Sequence, residues 1–76
     1  MLSNNTVNSV QNALLDPNYY KFLDKVRDEL MIRYKHFEND NNLQLSPSIQ
    51  LSYKRGLNVS KAAEEHLSYR EENPVD

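Results

Sequence analysis

The sequence contains no cysteine and only one glycine, Gly56. Without cysteine there is no disulfide framework, no thiolate zinc site and no cysteine nucleophile. A single glycine cannot supply a glycine-rich loop that cradles phosphate, or the Gly-x-Ser-x-Gly turn of a serine hydrolase. These absences argue against several large classes of enzyme, and we expect a protein without catalytic activity.

Long apolar runs and a strong net charge are missing as well. No run approaches the roughly 18 apolar residues that cross a bilayer, and residues 1–5 lack the basic start of a signal peptide. The net charge is −2, so there is no overall basic footprint for nucleic acid. We therefore expect a cytoplasmic protein without membrane contact, cofactor, bound metal or small-molecule substrate.

What remains is a chain of 76 residues, of which 38% are hydrophobic. A chain of this length buries only about 60–65% of its unfolded surface, so its core supplies roughly 3–5 kcal/mol of stability. We expect one small helical domain over residues 1–76, with frayed ends at 1–6 and 73–76. Its marginal core favours contact with a protein partner or with a second copy.

The strongest pattern is an amphipathic helix over residues 17–38. Asp16 is a suitable N-cap, and Pro17 falls at the first helical position, where its missing N–H costs nothing. The asparagine-rich run at residues 39–42 is typical of a helix end. At helical spacing one arc of about 120° collects the large apolar residues, namely Tyr19, Phe22, Leu23, Val26, Leu30, Tyr34 and Phe37.

Shorter helices are predicted on both sides of this one. Apolar spacing indicates a helix over residues 7–15 and another over residues 60–72, the latter capped by Asn58 or Ser60. The second of these has a narrow face suited to close packing, formed by Val59, Ala62, Ala63, His66, Leu67 and Arg70.

Residues 43–55 carry two conflicting signals. Apolar residues alternate with polar ones, which is the strand period. Ser46 and Pro47, however, repeat the cap-and-proline start of a helix, and Gly56 is placed just past its end. We favour a helix over 47–55 preceded by an extended segment at 43–45. The fold class is then all-α, a small bundle of three to four helices around one long amphipathic helix.

The two histidines give little support for a metal site or a general base. His36, Glu38 and Asp40 stand at alternate positions, whereas helical metal sites use the His-Glu-x-x-His spacing, so we interpret them as exposed polar residues. His66 lies at the centre of an apolar face. We expect a hydrogen-bonded, partly buried imidazole at a contact between helices.

The long helix carries more apolar surface than two short helices cover well. Tyr20, Arg27, Met31 and Tyr34 are the residues we expect to contact a partner. The expected function is therefore that of a non-catalytic inhibitor, adaptor or regulatory subunit, of the kind that bacteria, phages and plasmids often encode.

An alternative comes from the run RGLNVSKAAEEHL at residues 55–67. It resembles the turn and second helix of ribbon-helix-helix antitoxins of the CcdA type. The resemblance implies that Gly56 forms the turn, Ser60 the cap, and Ala63 and Leu67 part of a dimer core. It also implies that residues 43–45 form a ribbon that contacts DNA.

On this alternative the protein is a dimeric DNA-binding regulator that uses residues 43–67. Lys54, Arg55 and Lys61 are the expected DNA contacts. The alternative requires these cations to converge on one surface, away from Glu64 and Glu65, because carboxylates repel phosphate.

Overall fold

The computed structural model describes residues 13–75, in which every regular element is a helix. Residues 13–15 are helical, and they are followed by α1 (Pro17–Tyr34), α2 (Asp40–Gln44), α3 (Pro47–Lys54) and α4 (Val59–Glu72). The longest helix, α1, packs against each of the other three. The predicted all-α bundle is confirmed. Most of the predicted helix at 7–15, the predicted frayed end at 1–6 and residue 76 lie outside the described residues.

Helix starts follow the caps read from the sequence. The side chains of Asp16, Ser46 and Asn58 each accept a hydrogen bond from a backbone N–H two or three residues later. Pro17 and Pro47 occupy the first turns of α1 and α3, as predicted. These local signals satisfy N–H groups that a helix otherwise leaves without partners.

The long helix ends at Tyr34 and not near residue 38, which corrects the prediction. Lys35 adopts the left-handed conformation with φ 55°, and the N–H of His36 donates to the carbonyl of Leu30 over 2.9 Å. Phe37 therefore leaves the apolar face of α1 and is 71% exposed. The early end directs the following segment toward α4, where Glu38 finds the partners described below.

The predicted extended segment at 43–45 is also wrong. Leu43 is buried within α2, and Asn39 caps that helix. The alternation of apolar and polar residues in the sequence does not reflect a strand. Leu43 of α2 and Ile49 of α3 are buried, while Leu45 and Leu51 remain exposed. The predicted helix at 47–55 is confirmed as α3.

The core lies where α1 faces α3 and α4. The small side chains of Ala62 and Ala63 are fully buried, which lets α4 approach closely. The hydroxyl of buried Tyr19 donates to the carbonyl of Gln44 over 2.9 Å, and burial raises its pKa. Among residues 13–75, no helix is long and apolar enough to cross a bilayer. The buried apolar residues are Ala13, Tyr19, Leu23, Val26, Leu30, Leu43, Ile49, Ala62 and Ala63.

Gly56 and Lys35, two residues in the left-handed conformation, predict opposite changes in stability when they are substituted. Gly56 ends α3 with φ 73°, and a Cβ there would meet nothing within 4 Å, so Gly56→Ala costs only backbone strain. Lys35 bears that strain already. We expect Gly56→Ala to lower the free energy of unfolding by about 1 kcal/mol and Lys35→Gly to raise it by a similar amount. Urea denaturation measures both changes in the free energy of unfolding. If both substitutions changed it in the same direction, the left-handed conformation of one of the two residues would be contradicted.

Candidate functional site

A buried carboxylate is the centre of the polar interior. The side chain of Glu38 is only 4% exposed. Its Oε1 lies 2.7 Å from Nε2 of His36 and 3.0 Å from Nε2 of His66, while its Oε2 accepts from Nε of Arg70 over 2.9 Å. We call these four residues the Glu38 cluster.

The cluster joins segments that are distant in the sequence. His36 and Glu38 come from the connection between α1 and α2, whereas His66 and Arg70 lie one turn apart on α4. Arg70 also donates to the carbonyls of Asn42 and Asn73, each over 3.3 Å. One guanidinium thus fixes α2, the connection and the end of α4 together.

The proton positions in the cluster follow from its acceptors. An ionised Glu38 only accepts hydrogen bonds, so Nε2 of His36 and of His66 each carry a proton toward it. A neutral His66 then has an unprotonated Nδ1, which accepts from Oγ of Ser46 over 3.0 Å. Oγ of Ser46 in turn accepts from the N–H of Ile49. Each polar atom of the His66 ring therefore has a partner.

The surroundings lower the pKa of both Glu38 and His66, for different reasons. Burial alone would raise the pKa of Glu38, but hydrogen bonds from Arg70, His36 and His66 overcome it and lower the pKa to about 2. Burial lowers the pKa of His66, although the neighbouring Glu38 charge opposes this effect. Glu38 is thus held ionised at neutral pH, and the charged form of His66 is disfavoured.

A depression of about 380 Å³ opens beside the cluster. His36, Glu38 and Arg70 contribute polar groups to it, and Phe37 and Val75 contribute exposed apolar side chains. A carboxylate and imidazole nitrogens at the edge of such a space are able to hold a cation or to orient a polar group. The remaining lining residues are Asn39, Asn42 and Pro74.

The structure corrects one prediction about these residues and confirms another. Glu38 and His36 are not exposed polar residues, since their side chains are 4% and 26% exposed. His66 is the hydrogen-bonded imidazole between helices that the sequence predicts, and it is fully buried. The sequence held one signal for the cluster: His66 and Arg70 share the apolar face of α4, and a buried guanidinium requires an acceptor.

The four predicted contact residues lie along one side of α1, and we call them the α1 contact face. Tyr20 and Met31 are 38% and 36% exposed, whereas Tyr34 packs partly against the core. The hydroxyl of Tyr20 donates to the carbonyl of Leu14 and accepts from Nε2 of Gln44. The face therefore runs beside α2, and Tyr20 and Met31 are separated by about 16 Å of helix.

Acidic residues surround the fourth member of this face. Arg27 lies 3.3 Å from Asp40, 3.7 Å from Asp24 and 3.8 Å from Asp28. A hydrogen bond from Arg27 to Asp40 and the charges of all three carboxylates raise the pKa of Arg27. The centre of the α1 contact face consequently carries more negative than positive charge.

The three cations expected to contact DNA are exposed, and two of them stand near carboxylates. Arg55 pairs with Glu65 over 3.6 Å. The pKa of Asp16 is lowered mainly by a hydrogen bond from Tyr53, and the charge of Lys54 makes a smaller contribution. Lys61 is exposed on α4. The DNA-contacting ribbon implied at residues 43–45 is replaced by part of α2. Arg55 therefore does not stand away from Glu65, and residues 43–44 are helical where the resemblance implies a ribbon.

The charge on Glu38 predicts a specific loss of stability in acid. Its pKa is lower in the folded chain than the 4.5 of the free side chain, so its contribution is complete above that value and is lost as the pH falls toward 2. We expect Glu38→Gln to lower the free energy of unfolding by about 2 kcal/mol at pH 7, with a difference that shrinks between about pH 5 and 2.

Chemical denaturation of wild type and variant across this pH range measures the effect. Glu64→Gln is the matched control, because Glu64 is an exposed carboxylate on α4. A constant difference between wild type and Glu38→Gln from pH 7 to pH 2 would contradict the role of the Glu38 charge.

Comparison of the chain with models of protein families, with curated proteins and with solved structures gives no significant match.

Proposed function

We propose that the protein acts without catalysis, by binding another protein through the α1 contact face. The observation that carries the proposal is the exposure of Tyr20 and Met31, at 38% and 36%, on a helix whose core face is fully covered. Tyrosine, methionine and arginine are the residue types enriched at protein interfaces. A regulatory role as inhibitor or adaptor follows from this mode of action.

The charges on the face favour a particular type of partner. Three carboxylates surround Arg27, and each is more than half exposed. A complementary surface would present basic side chains at this point and apolar pockets for Tyr20 and Met31. Charge complementarity of this kind contributes most to specificity and to the rate of association.

The same charges disfavour a homodimer formed through this face. A two-fold interface sets one patch against its own copy, so the acidic centre would meet another acidic centre. Like charges placed opposite one another are unfavourable. We therefore favour a basic protein as partner over a second copy of the chain.

The oligomeric state tests whether the partner is another protein or a second copy of the chain. We expect light scattering on the purified protein at micromolar concentration to give the monomer mass of 8.9 kDa at both low and high salt. A dimer of about 18 kDa that dissociates on Met31→Ser would contradict the proposal, because the face would then be occupied by a second copy.

Site-specific crosslinking tests the face itself. A photoreactive side chain at position 31 is expected to crosslink a partner in a lysate of the source cell. The same group at position 32 is expected not to do so, since Ile32 is 72% exposed on another side of α1. Binding of the isolated partner should weaken at least about tenfold on Met31→Ser and remain unchanged on Ile32→Ser.

Circular dichroism of both variants controls for folding. Equal crosslinking from positions 31 and 32, or equal loss of binding on both substitutions, would contradict the proposed face.

A further inference from the structure

We propose that His36, Glu38 and His66 form a binding site for one divalent transition-metal ion of the Zn²⁺ type. Each of these residues offers one ligand atom, a ring nitrogen or a carboxylate oxygen, and the three atoms all lie within 4.8 Å of one another. Two imidazoles and one carboxylate are a ligand set that zinc uses with a solvent molecule in the fourth position. The site is independent of the α1 contact face.

Both imidazoles already direct a ring nitrogen toward the same oxygen of Glu38. Oε1 of Glu38 faces Nε2 of His36 at 2.7 Å and Nε2 of His66 at 3.0 Å. Tetrahedral zinc with bonds of about 2.0–2.1 Å separates its ligand atoms by about 3.3 Å. The imidazoles would therefore retreat by only a few tenths of an ångström. His36, at 26% exposure, has room for this adjustment.

The surrounding groups hold these ligands in place. Arg70 donates to Oε2 of Glu38, which leaves Oε1 as the free ligand atom. Oγ of Ser46 lies 3.0 Å from Nδ1 of His66, the ring nitrogen that does not face Glu38. Hydrogen bonds of this type, to the far side of a ligand, orient histidines and carboxylates in metal sites.

Besides this small movement of the imidazoles, metal binding requires both histidines to be neutral and to carry the ring proton on Nδ1, as His66 illustrates. In the metal-free cluster, Nε2 of His66 carries the proton and Nδ1 accepts from Ser46. With metal bound, Nε2 provides its lone pair, the proton resides on Nδ1, and Nδ1 donates to Oγ of Ser46. Ser46 is able to serve as donor or acceptor, because a hydroxyl has both capacities.

Access and selectivity also follow from the surroundings. His36 and Glu38 line the depression of about 380 Å³, so solvent reaches the fourth coordination position from there. Imidazole ligands favour zinc, cobalt, nickel and copper over magnesium and calcium, which prefer oxygen ligands. The guanidinium of Arg70 reduces the negative charge of Glu38 and is expected to moderate the affinity.

The composition of the chain makes the test unambiguous. His36 and His66 are its two histidines, and it has no cysteine. We expect Co²⁺ added to the purified, chelator-treated protein to bind with one ion per chain and to give the absorption spectrum of a tetrahedral site. Zn²⁺ should displace Co²⁺, whereas Mg²⁺ should not.

Two variants distinguish metal binding at the proposed site from adventitious binding elsewhere on the surface. His36→Gln retains a polar side chain at a partly exposed position, so the fold should survive, and we expect at least a tenfold loss of Co²⁺ and Zn²⁺ affinity. Glu64→Gln, an exposed carboxylate on α4, is the control and should bind both ions as the wild type does. Circular dichroism of both variants tests whether they are folded.

Nitrogen NMR of the imidazole rings provides a second readout. Binding should shift the Nε2 signals of His36 and His66 together at one equivalent of Zn²⁺. The proposal is overturned by an unchanged affinity in His36→Gln, by one ion for every two chains, or by the absence of binding at 100 equivalents of Zn²⁺.

Discussion

The structure depends on compensating the buried charge of Glu38. Taking a carboxylate out of water is expensive unless hydrogen bonds and opposite charge replace its hydration. Here the guanidinium of Arg70 and the imidazoles of His36 and His66 supply that replacement. Because these donors come from separate segments, satisfying one carboxylate also fixes how α4 packs beside the end of α1.

This requirement explains why α1 ends where it does. If the helix continued to residue 38, Phe37 would join the apolar face, as the sequence pattern predicts. The structure instead places Lys35 in a left-handed conformation and leaves Phe37 exposed. The early end of α1 places Glu38 where it contacts His66 and Arg70 of α4.

Local signals in the sequence predicted most of the fold. Asp16 with Pro17 and Ser46 with Pro47 marked two helix starts, and Gly56 marked a helix end. These features act over a few residues, so the sequence alone reveals them. The prediction of an extended segment at residues 43–45 was wrong because apolar and polar residues alternate there as they do in a strand. In the structure, two short helices each bury one apolar residue of this pattern.

The candidate site was less predictable because its contacts are not local. Glu38 meets His66 and Arg70 across 28 and 32 residues of sequence, and no spacing rule links such positions. The burial of His66 was predictable from its place on the apolar face of α4. Its acceptor was not, because Glu38 lies in a connection whose path depends on the contact itself.

The cluster and the α1 contact face occupy different parts of one small bundle. The ion pair of Arg27 with Asp40 joins α1 to α2, whereas Arg70 on α4 contacts Asn42 of α2. Each region therefore contributes to stability and also presents groups at the surface. This dual use is expected in a chain whose apolar core is small.

A double-mutant cycle between Glu38 and Arg70 measures how strongly the buried carboxylate and the guanidinium stabilise each other. The free energy of unfolding is measured for the wild type, Glu38→Gln, Arg70→Met and the double variant. If the buried charge organises the fold, Arg70→Met costs much less in the Glu38→Gln background than in the wild type, with a coupling energy of at least about 1 kcal/mol. Additive effects of the two substitutions would contradict the account.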